Sequence, residues 1–533
     1  MARLFFASLV TFGLILGMVV GFVLAAMVAL DAVDLGFAIA LTVVINLVIW
    51  LISPWLSDLT LRWFNKLEFL DDATVAQRYP GIHRLVHRVA GEYRFSPPRI
   101  GFIPDRNPTA FTYGLLRGNA RIVVTQGIFE FLNEEEQRAV VAHELGHIVN
   151  RDFILMTMAG MLVQILYQIY AAFSRSSRGG GKNKGGAAAV ALAALIAYYI
   201  GIYLLLYLSR TREYLADTFS ANHVEAKHLA SALIKIAYGI VAIEDTEATQ
   251  SLLRSTRHLG VIDVNNARYA GLLAESTANE PGAAAAAMLF DTYNPWAALI
   301  QINSTHPLTG RRVAHLGEIA RAKGQGFADY DVEAAARRVN LDRGKLWGRF
   351  WSELLLLAAP LLFGVVAALL GAWQFAPAAI ALGVLVTLPL RYPSSPVREA
   401  TVMALMGDPA ASPVRGQPVK LAGKAIGRAS PGFIAGEDVI FQDKTGLMAV
   451  DFRSMLGLIG DLFAGWKRVP KHMNQPGEAT GWFMRGMGGY LVLKELKSTA
   501  GSLTAKPFFW QILLSVLVIA ANLYFVLVAA PPW

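Results

Sequence analysis

Apolar residues fall along this 533-residue chain in two regimes. Long runs recur at 4–30, 35–56, 153–173, 187–208, 354–373, 376–390 and 508–530. A helix rises 1.5 Å per residue, so about 20 apolar residues cover a hydrocarbon core of about 30 Å. The seven runs therefore predict membrane helices, grouped as hairpins over 1–57, 153–208 and 351–391 and a last helix over 508–533. The run at 376–390 is the shortest and contains proline. Between the runs the spacing changes. Asn133 followed by Glu134, Glu135 and Glu136 reads as an N-cap with an acidic first turn and a possible capping box. An apolar helix body through Ala139, Val140 and Val141 follows. Short β-branched segments around 99–127, among them 121–125, predict a small sheet.

The last part of the chain alternates with period two. Strand-like runs at 417–429, 438–442, 446–452, 478–485 and 490–496 are separated by turn residues, which predicts a small OB-like β-barrel over 392–507. Trp466, Trp482, Phe483 and Tyr490 are expected to fill its core. Ala284–Ala287, after Pro281, predicts the start of a helix.

Composition agrees with the membrane setting. Hydrophobic residues make up 55% and charged residues 16% of the chain, against roughly 25% charged in soluble domains. The first run carries no Lys or Arg and is followed directly by a second, which predicts a retained anchor and not a cleaved signal. With residues 58–152 on the cytoplasmic side, the outer loops hold only Arg175, Arg178, Lys182 and Lys184 of the 48 Lys and Arg. The positive-inside rule then orients the chain with its polar regions toward the cytoplasm of the plasma (inner) membrane. The net charge of +9 is read as attraction to an anionic leaflet, and no nucleic-acid motif is present. The Gly-Lys-rich stretch 178–186 lacks a G-K-[ST] ending and is read as a connector. Cysteine is absent, which excludes disulfides, thiolate catalysis and thiolate metal ligands.

The candidate chemistry sits at His143-Glu144-Leu145-Gly146-His147. Two histidines at i and i+4 share one helix face and can reach a single metal ion. Glu144, beside the first, can hold a water at that ion and take its proton. A hydrolytic zinc site needs a third protein ligand and an open position. Glu213 and Asp217, again at i and i+4, offer two carboxylates, one to bind the metal and the other to orient a ligand histidine. A second pair, His83 and His87, has the same spacing without the glutamate and lies on a basic stretch, so a solvated face is expected there.

These motifs resemble the HtpX-like membrane metallopeptidases, relatives of the type I CAAX prenyl proteases. The matching residues are His143 to His147 with Asn150-Arg151-Asp152, then Glu213-Tyr214-Leu215-Ala216-Asp217, then Ser304-Thr305-His306-Pro307 with Arg312. The resemblance covers about residues 1–320. It implies one Zn(2+) per chain held by His143, His147 and Glu213. It further implies Glu144 as general base, Asp217 behind a ligand, and His306 and Arg312 as residues that polarise or position the substrate. It also implies an edge strand at Thr109-Ala110-Phe111 that pairs with extended substrate. Thr109 departs from the family's usual asparagine.

The resulting expectation is a multi-pass α-helical membrane protein. A mainly α, zincin-like (HExxH) catalytic domain with a small β-sheet occupies 58–350 around the second hairpin, and the OB-like barrel follows the third. Peptide-bond hydrolysis of membrane or membrane-associated proteins, in membrane protein quality control, is the expected function. CAAX-type processing and a non-catalytic scaffold recruiting partners through the barrel are the alternatives. Expected partners are the bilayer, membrane-protein or peptide substrates and an unidentified ligand of the barrel, expected to be a recruitment or regulatory module.

Overall fold

The computed structural model describes residues 35–178, 184–242, 283–428, 439–454, 469–486 and 488–529. Among them, six helices are long and apolar enough to cross a membrane: Val43–Asn65, Asp152–Arg175, Gly185–His223, Arg343–Leu369, Trp373–Arg391 and Phe509–Val528. They correspond to six of the seven apolar runs; the run at 4–30 lies outside the described residues. The short segment at 376–390 forms the helix Ala376–Arg391, which a single 3-10 turn, Trp373–Phe375, extends at its N-terminus. The expected boundary at 350/351 falls inside one continuous helix, Arg343–Leu369. That helix starts at the N-cap Asp342, whose side chain accepts the Lys345 amide at 3.1 Å, so a local capping signal sets its start ahead of the apolar run.

Two compact units divide the chain. One comprises Met1–Arg268 with Gln301–Tyr330, the other Tyr269–Ile300 with Asp331–Trp533. The first unit is built around the motif helix, Glu134–Val149, preceded by its N-cap Asn133. The Asn133 side chain accepts the Glu136 amide at 3.0 Å, and the Glu136 carboxylate accepts the Asn133 amide at 2.9 Å. The predicted capping box is therefore closed on both sides. At the other end Arg151 takes the left-handed φ of 57°, which breaks the helix and starts the membrane helix Asp152–Arg178 at a new angle.

A four-stranded sheet lies beside the motif helix. Its strands are β1 (Glu68–Phe69), β2 (Arg99–Ile103), β3 (Ala110–Tyr113) and β4 (Arg121–Thr125), in the order β1-β2-β4-β3. The β2–β4 pair is parallel and the β3–β4 pair antiparallel, so β3 is an edge. Phe111 and Tyr113 face one way, into a cluster with Leu61, Leu67, Ile103 and Val123. Leu61 belongs to the helix Leu35–Asn65, and that helix also supplies Asp58. Asp58 accepts hydrogen bonds from Tyr113 Oη at 2.7 Å and Arg121 Nη2 at 3.0 Å. A membrane helix is thus tied to the sheet edge by packing and by a buried ion pair.

The second unit holds the barrel. Strands β5 (Arg398–Glu399), β6 (Gln417–Arg428), β7 (Val439–Gln442), β8 (Leu447–Asp451), β9 (Pro476–Arg485), β10 (Gly489–Ser498) and β11 (Gly501–Thr504) follow one another in the chain. β6, β7 and β8 form an antiparallel meander, β8 runs parallel to β10, and β9 pairs with both β10 and β6. That path closes on itself, so the five strands legible in the sequence make a closed barrel without a free edge. Gly481 lets β9 and β10 approach closely, since a Cβ there would collide with the Val492 carbonyl oxygen. Phe441, Phe483, Leu491 and Leu493 are fully buried. Trp482, next to Phe483 on the alternating strand, packs instead against Tyr392 and Phe508 at the junctions with the membrane helices. Its indole donates to the Pro393 carbonyl at 2.7 Å. Trp482 is thereby buried with Met484 and Val492 in a hydrophobic cluster, as expected, and Tyr490 is half-buried against it. Trp466 lies outside the described residues.

Candidate active site

The motif helix buries both of its histidines, at 1% and 3% exposure. Their Nε2 atoms stand 3.2 Å apart with the rings nearly perpendicular, at 88°. The third group arrives on the 40-residue helix Lys184–His223. Glu213 Oε2 lies 3.6 Å from His143 Nε2, and Glu213 Oε1 lies 3.6 Å from His147 Nε2. Side-chain atoms of His143, His147 and Glu213 all fall within 4.8 Å of one another. Gly146 permits this approach: a Cβ there would meet Ala216 Cα at 3.1 Å and Phe219 Cβ at 3.0 Å. The two helices come this close because one residue at the crossing has no side chain.

Each histidine is aimed by a carboxylate at its far nitrogen. Asp217 Oδ1 is 3.0 Å from His143 Nδ1. Asp152 Oδ2 is 2.6 Å from His147 Nδ1. Asp152 is in turn paired with Arg212, whose Nη2 also donates to the Asn150 carbonyl at 2.9 Å. Arg312, on the helix Thr309–Ala322, donates to Asp217 through Nε at 2.9 Å and Nη2 at 2.5 Å. Its Nη1 is 3.4 Å from Glu213 Oε2. The Arg312 guanidinium is 1% exposed, and its hydrogen bonds to Asp217 point it at the ligands' partners. Burial alone pushes the His143 imidazole down, but the Asp217 and Glu213 carboxylates outweigh it and raise it to about 9.

His306 Nδ1 lies 3.1 Å from Glu213 Oε2. Its segment is pinned to the helix Lys184–His223 by Ser209 Oγ, which donates to the Thr305 carbonyl at 2.8 Å, and by Arg210 Nη1, which donates to the Ser304 carbonyl at 2.7 Å. Glu144 is 1% exposed. Its Oε2 accepts from Thr112 Oγ1 at 2.6 Å. Thr112 points toward the motif helix because it alternates with Phe111 and Tyr113 along β3. Of the expected substrate contacts, Ala110 and Phe111 lie on the edge strand and are fully buried. The Thr109 amide donates to Thr125 Oγ1 at 2.9 Å, while the Thr109 hydroxyl is buried without a hydrogen-bond partner.

The sequence reading missed Asp152, Thr112 and Arg212 as parts of this arrangement. Asp152 carried a signal, since it belongs to the matched Asn150-Arg151-Asp152 element, but Thr112 carried none. The donor set also fits a divalent metal. Glu213 Oε2 is buried and completes no hydrogen bond, and two imidazoles with a carboxylate and carboxylate-backed Nδ1 atoms suit such an ion.

Helices long and apolar enough to cross a membrane and a buried His-His-carboxylate cluster with a glutamate beside it agree with the class that the matches to known proteins give, a membrane protease. The profile of peptidase family M48 matches residues 76–320. A protease HtpX homologue of Methanothermobacter thermautotrophicus is 35% identical over 247 residues, covering 45% of this chain and 87% of the relative. One of Pyrococcus furiosus is 30% identical over 298 residues, covering 54% of this chain and 88% of the relative. One of Burkholderia mallei is 31% identical over 292 residues, covering 54% and 88%. The chain belongs to peptidase family M48, alongside the HtpX proteases. A solved structure, Ste24p of S. mikatae, aligns with a TM-score of 0.35 at 16% identity, covering 58% of this chain and 64% of that one.

Proposed function

We propose that the protein is a zinc-dependent endopeptidase, zincin-like in its HExxH helix, acting at the cytoplasmic face of the plasma (inner) membrane. The observation that carries this reading is the convergence of His143, His147 and Glu213 on one buried point, with Glu144 held beside it by Thr112. A bound zinc ion would supply Lewis-acid polarisation and lower the pKa of water from about 15.7 to roughly 7. The rest is work for the chain's own groups. Thr112 donates to one oxygen of Glu144 and leaves the other to take a proton from the attacking water. Glu144 then delivers that proton to the leaving amine of the cleaved peptide bond.

Asp217 and Asp152 fix which imidazole nitrogen faces the metal, by binding Nδ1 of His143 and His147. Arg312 and His306 were candidates for acting on substrate. Their distances to Asp217 and Glu213 support a different role, in which both hold the carboxylates in place. The outer edge of β3 is the place for an extended substrate segment to add as a strand, and Thr109, Ala110 and Phe111 would present backbone groups there. Membrane and membrane-adjacent proteins are the natural substrates for a site whose motif helix is followed two residues after Asn150 by a membrane helix. This fits a role in membrane protein quality control, with 58–350 as the catalytic part and the barrel over 392–507 as a recruitment or regulatory module.

The test compares purified wild type with Glu144→Gln, in detergent with zinc, for cleavage of a model membrane protein and for self-cleavage. Fragments from the wild type alone are the expected result. No fragments from either protein, both loaded with zinc, would count against the endopeptidase reading.

A further inference from the structure

The pair His83 and His87 lies on a solvated face, as expected, and shares a carboxylate partner there. Both sit on the helix Pro80–Glu92, one turn apart. Asp72, the first residue of the helix Asp72–Arg78, reaches across to both. Its Oδ2 lies 3.1 Å from His83 Nε2 and its Oδ1 lies 2.8 Å from His87 Nε2. The two rings are 4.2 Å apart and inclined by 38°, and both present Nε2 to the Asp72 carboxylate. One ligand atom from each of the three residues falls within 4.8 Å of the others.

We propose that Asp72, His83 and His87 form a second, solvent-facing site for a divalent transition-metal ion such as zinc, cobalt or nickel. Two imidazoles and one carboxylate match the preference of these ions, whereas magnesium and calcium favour all-oxygen sites. A tetrahedral ion at roughly 2.1 Å from each ligand spaces them by about 3.4 Å; the Asp72–histidine distances of 3.1 Å and 2.8 Å lie close to that, so small shifts of these exposed side chains suffice. The remaining coordination positions face water. The ion would clip the helix Asp72–Arg78 to the helix Pro80–Glu92 across the turn at Tyr79. The second helix buries Ile82, Leu85, Val86 and Val89 and packs against the motif helix. Gly81, on its first turn, lies directly against Glu134 and Arg138 of that motif helix. Occupancy of the outer site therefore stiffens the support behind the motif helix without supplying a group to the reaction.

The test uses the full chain in detergent, purified with a tag that contains no histidine and stripped with a chelator. Glu213→Ala removes the buried centre from the measurement. Titration with Co²⁺, followed by visible absorption and by metal analysis after gel filtration, is expected to give about one equivalent in Glu213→Ala. Adding His87→Asn to that background is expected to weaken binding at least about tenfold, and adding Asp72→Asn is expected to do the same. The Asp72→Asn change keeps a side-chain hydrogen-bond acceptor for one histidine and removes the charge, so its effect separates metal ligation from helix packing. Thermal midpoints of the stripped proteins should agree, while Co²⁺ raises the midpoint of Glu213→Ala and not of the double variants. Absence of bound Co²⁺ in Glu213→Ala, or an isotherm unchanged by both added substitutions, overturns the proposal.

Discussion

Two histidine pairs in this chain share the i, i+4 spacing and a carboxylate partner, yet the molecule treats them differently. His143 and His147 are 1% and 3% exposed, whereas the side chains of His83 and His87 are 24% and 41% exposed. The buried pair has a separate carboxylate for each Nδ1 and a third carboxylate, Glu213, between the Nε2 atoms. The outer pair has one carboxylate, on the ligand side only. Spacing places two imidazoles on a face, but it does not make a reaction centre. That requires supporting groups that fix each ring, and burial that keeps water out except where it is used.

The largest break in that comparison comes from removing the third ligand. Glu213→Ala is expected to abolish the buried metal centre and cleavage together, read by the loss of one metal equivalent relative to wild type and by fragment formation. A variant that retains both would remove Glu213 from the site. Next comes Glu144→Gln, which keeps the proposed ligands and deletes the proposed base. Turnover should fall by about 10² to 10⁴ while metal content stays at the wild-type value. Smaller again are Asp152→Asn and Asp217→Asn. Each keeps the shape of the side chain and weakens its hold on one imidazole, so metal affinity or activity should drop by about 10- to 100-fold. Among the described residues no carboxylate backs the Nδ1 atoms of the outer pair in this way. Equal effects of Asp152→Asn and of a surface Asp→Asn far from any histidine would sink the idea that these carboxylates aim the rings.

How much of this was legible beforehand depended on whether the cause was local. Six of the apolar runs, the capping box at Asn133 and the alternating strands of the barrel are local patterns, and among the described residues each appears where its pattern places it. Glu213 was one of two carboxylates until resemblance chose between them. Thr112 reaches Glu144 across 32 positions of sequence, because β3 packs its odd and even residues on opposite faces. Nothing within a few residues of Thr112 announces that. Asp72 likewise meets His83 and His87 only because the chain turns at Tyr79. The parallel β8–β10 pair that closes the barrel is a long-range contact and has no sequence period of its own. Trp482 is buried as its chemistry suggests, with Met484 and Val492, but its partners Tyr392 and Phe508 lie far away in sequence and no local pattern names them.

Packing at the helix crossing gives a further and smaller effect. Gly146 is the contact point between the motif helix and the helix that carries Glu213 and Asp217. Gly146→Val adds three carbon atoms where a single Cβ already sits at 3.0–3.1 Å from Phe219 and Ala216. Overpacking of this kind costs typically about 1–3 kcal/mol. The expected signature is a lowered thermal midpoint together with weaker metal binding, since the same displacement separates Glu213 from the histidines. A lower midpoint with unchanged metal affinity would show that the crossing supports the fold and not the ligand geometry.

The smallest effect concerns how the two histidine-bearing helices begin. The motif helix opens on a reciprocal capping box, with Asn133 bound to the Glu136 amide and Glu136 bound back to the Asn133 amide. The helix Pro80–Glu92 opens on Tyr79 with no side-chain cap, using Pro80 at its first position. Asn133→Ala therefore leaves a first-turn amide without its acceptor, at a cost of about 1 kcal/mol. Glu136 would remain, because it also accepts Lys235 Nζ at 2.7 Å and Ser231 Oγ at 2.6 Å, so the helix should fray at its start and not unwind. His143 lies more than two turns further on, and metal affinity should be unchanged. Hydrogen exchange of amides 134–137 is the measurement: faster exchange there with protected amides at 143–147 is expected. Loss of protection through His147 would mean that the capping box holds the whole motif helix, and that the buried site depends on its helix start as well as on its carboxylates.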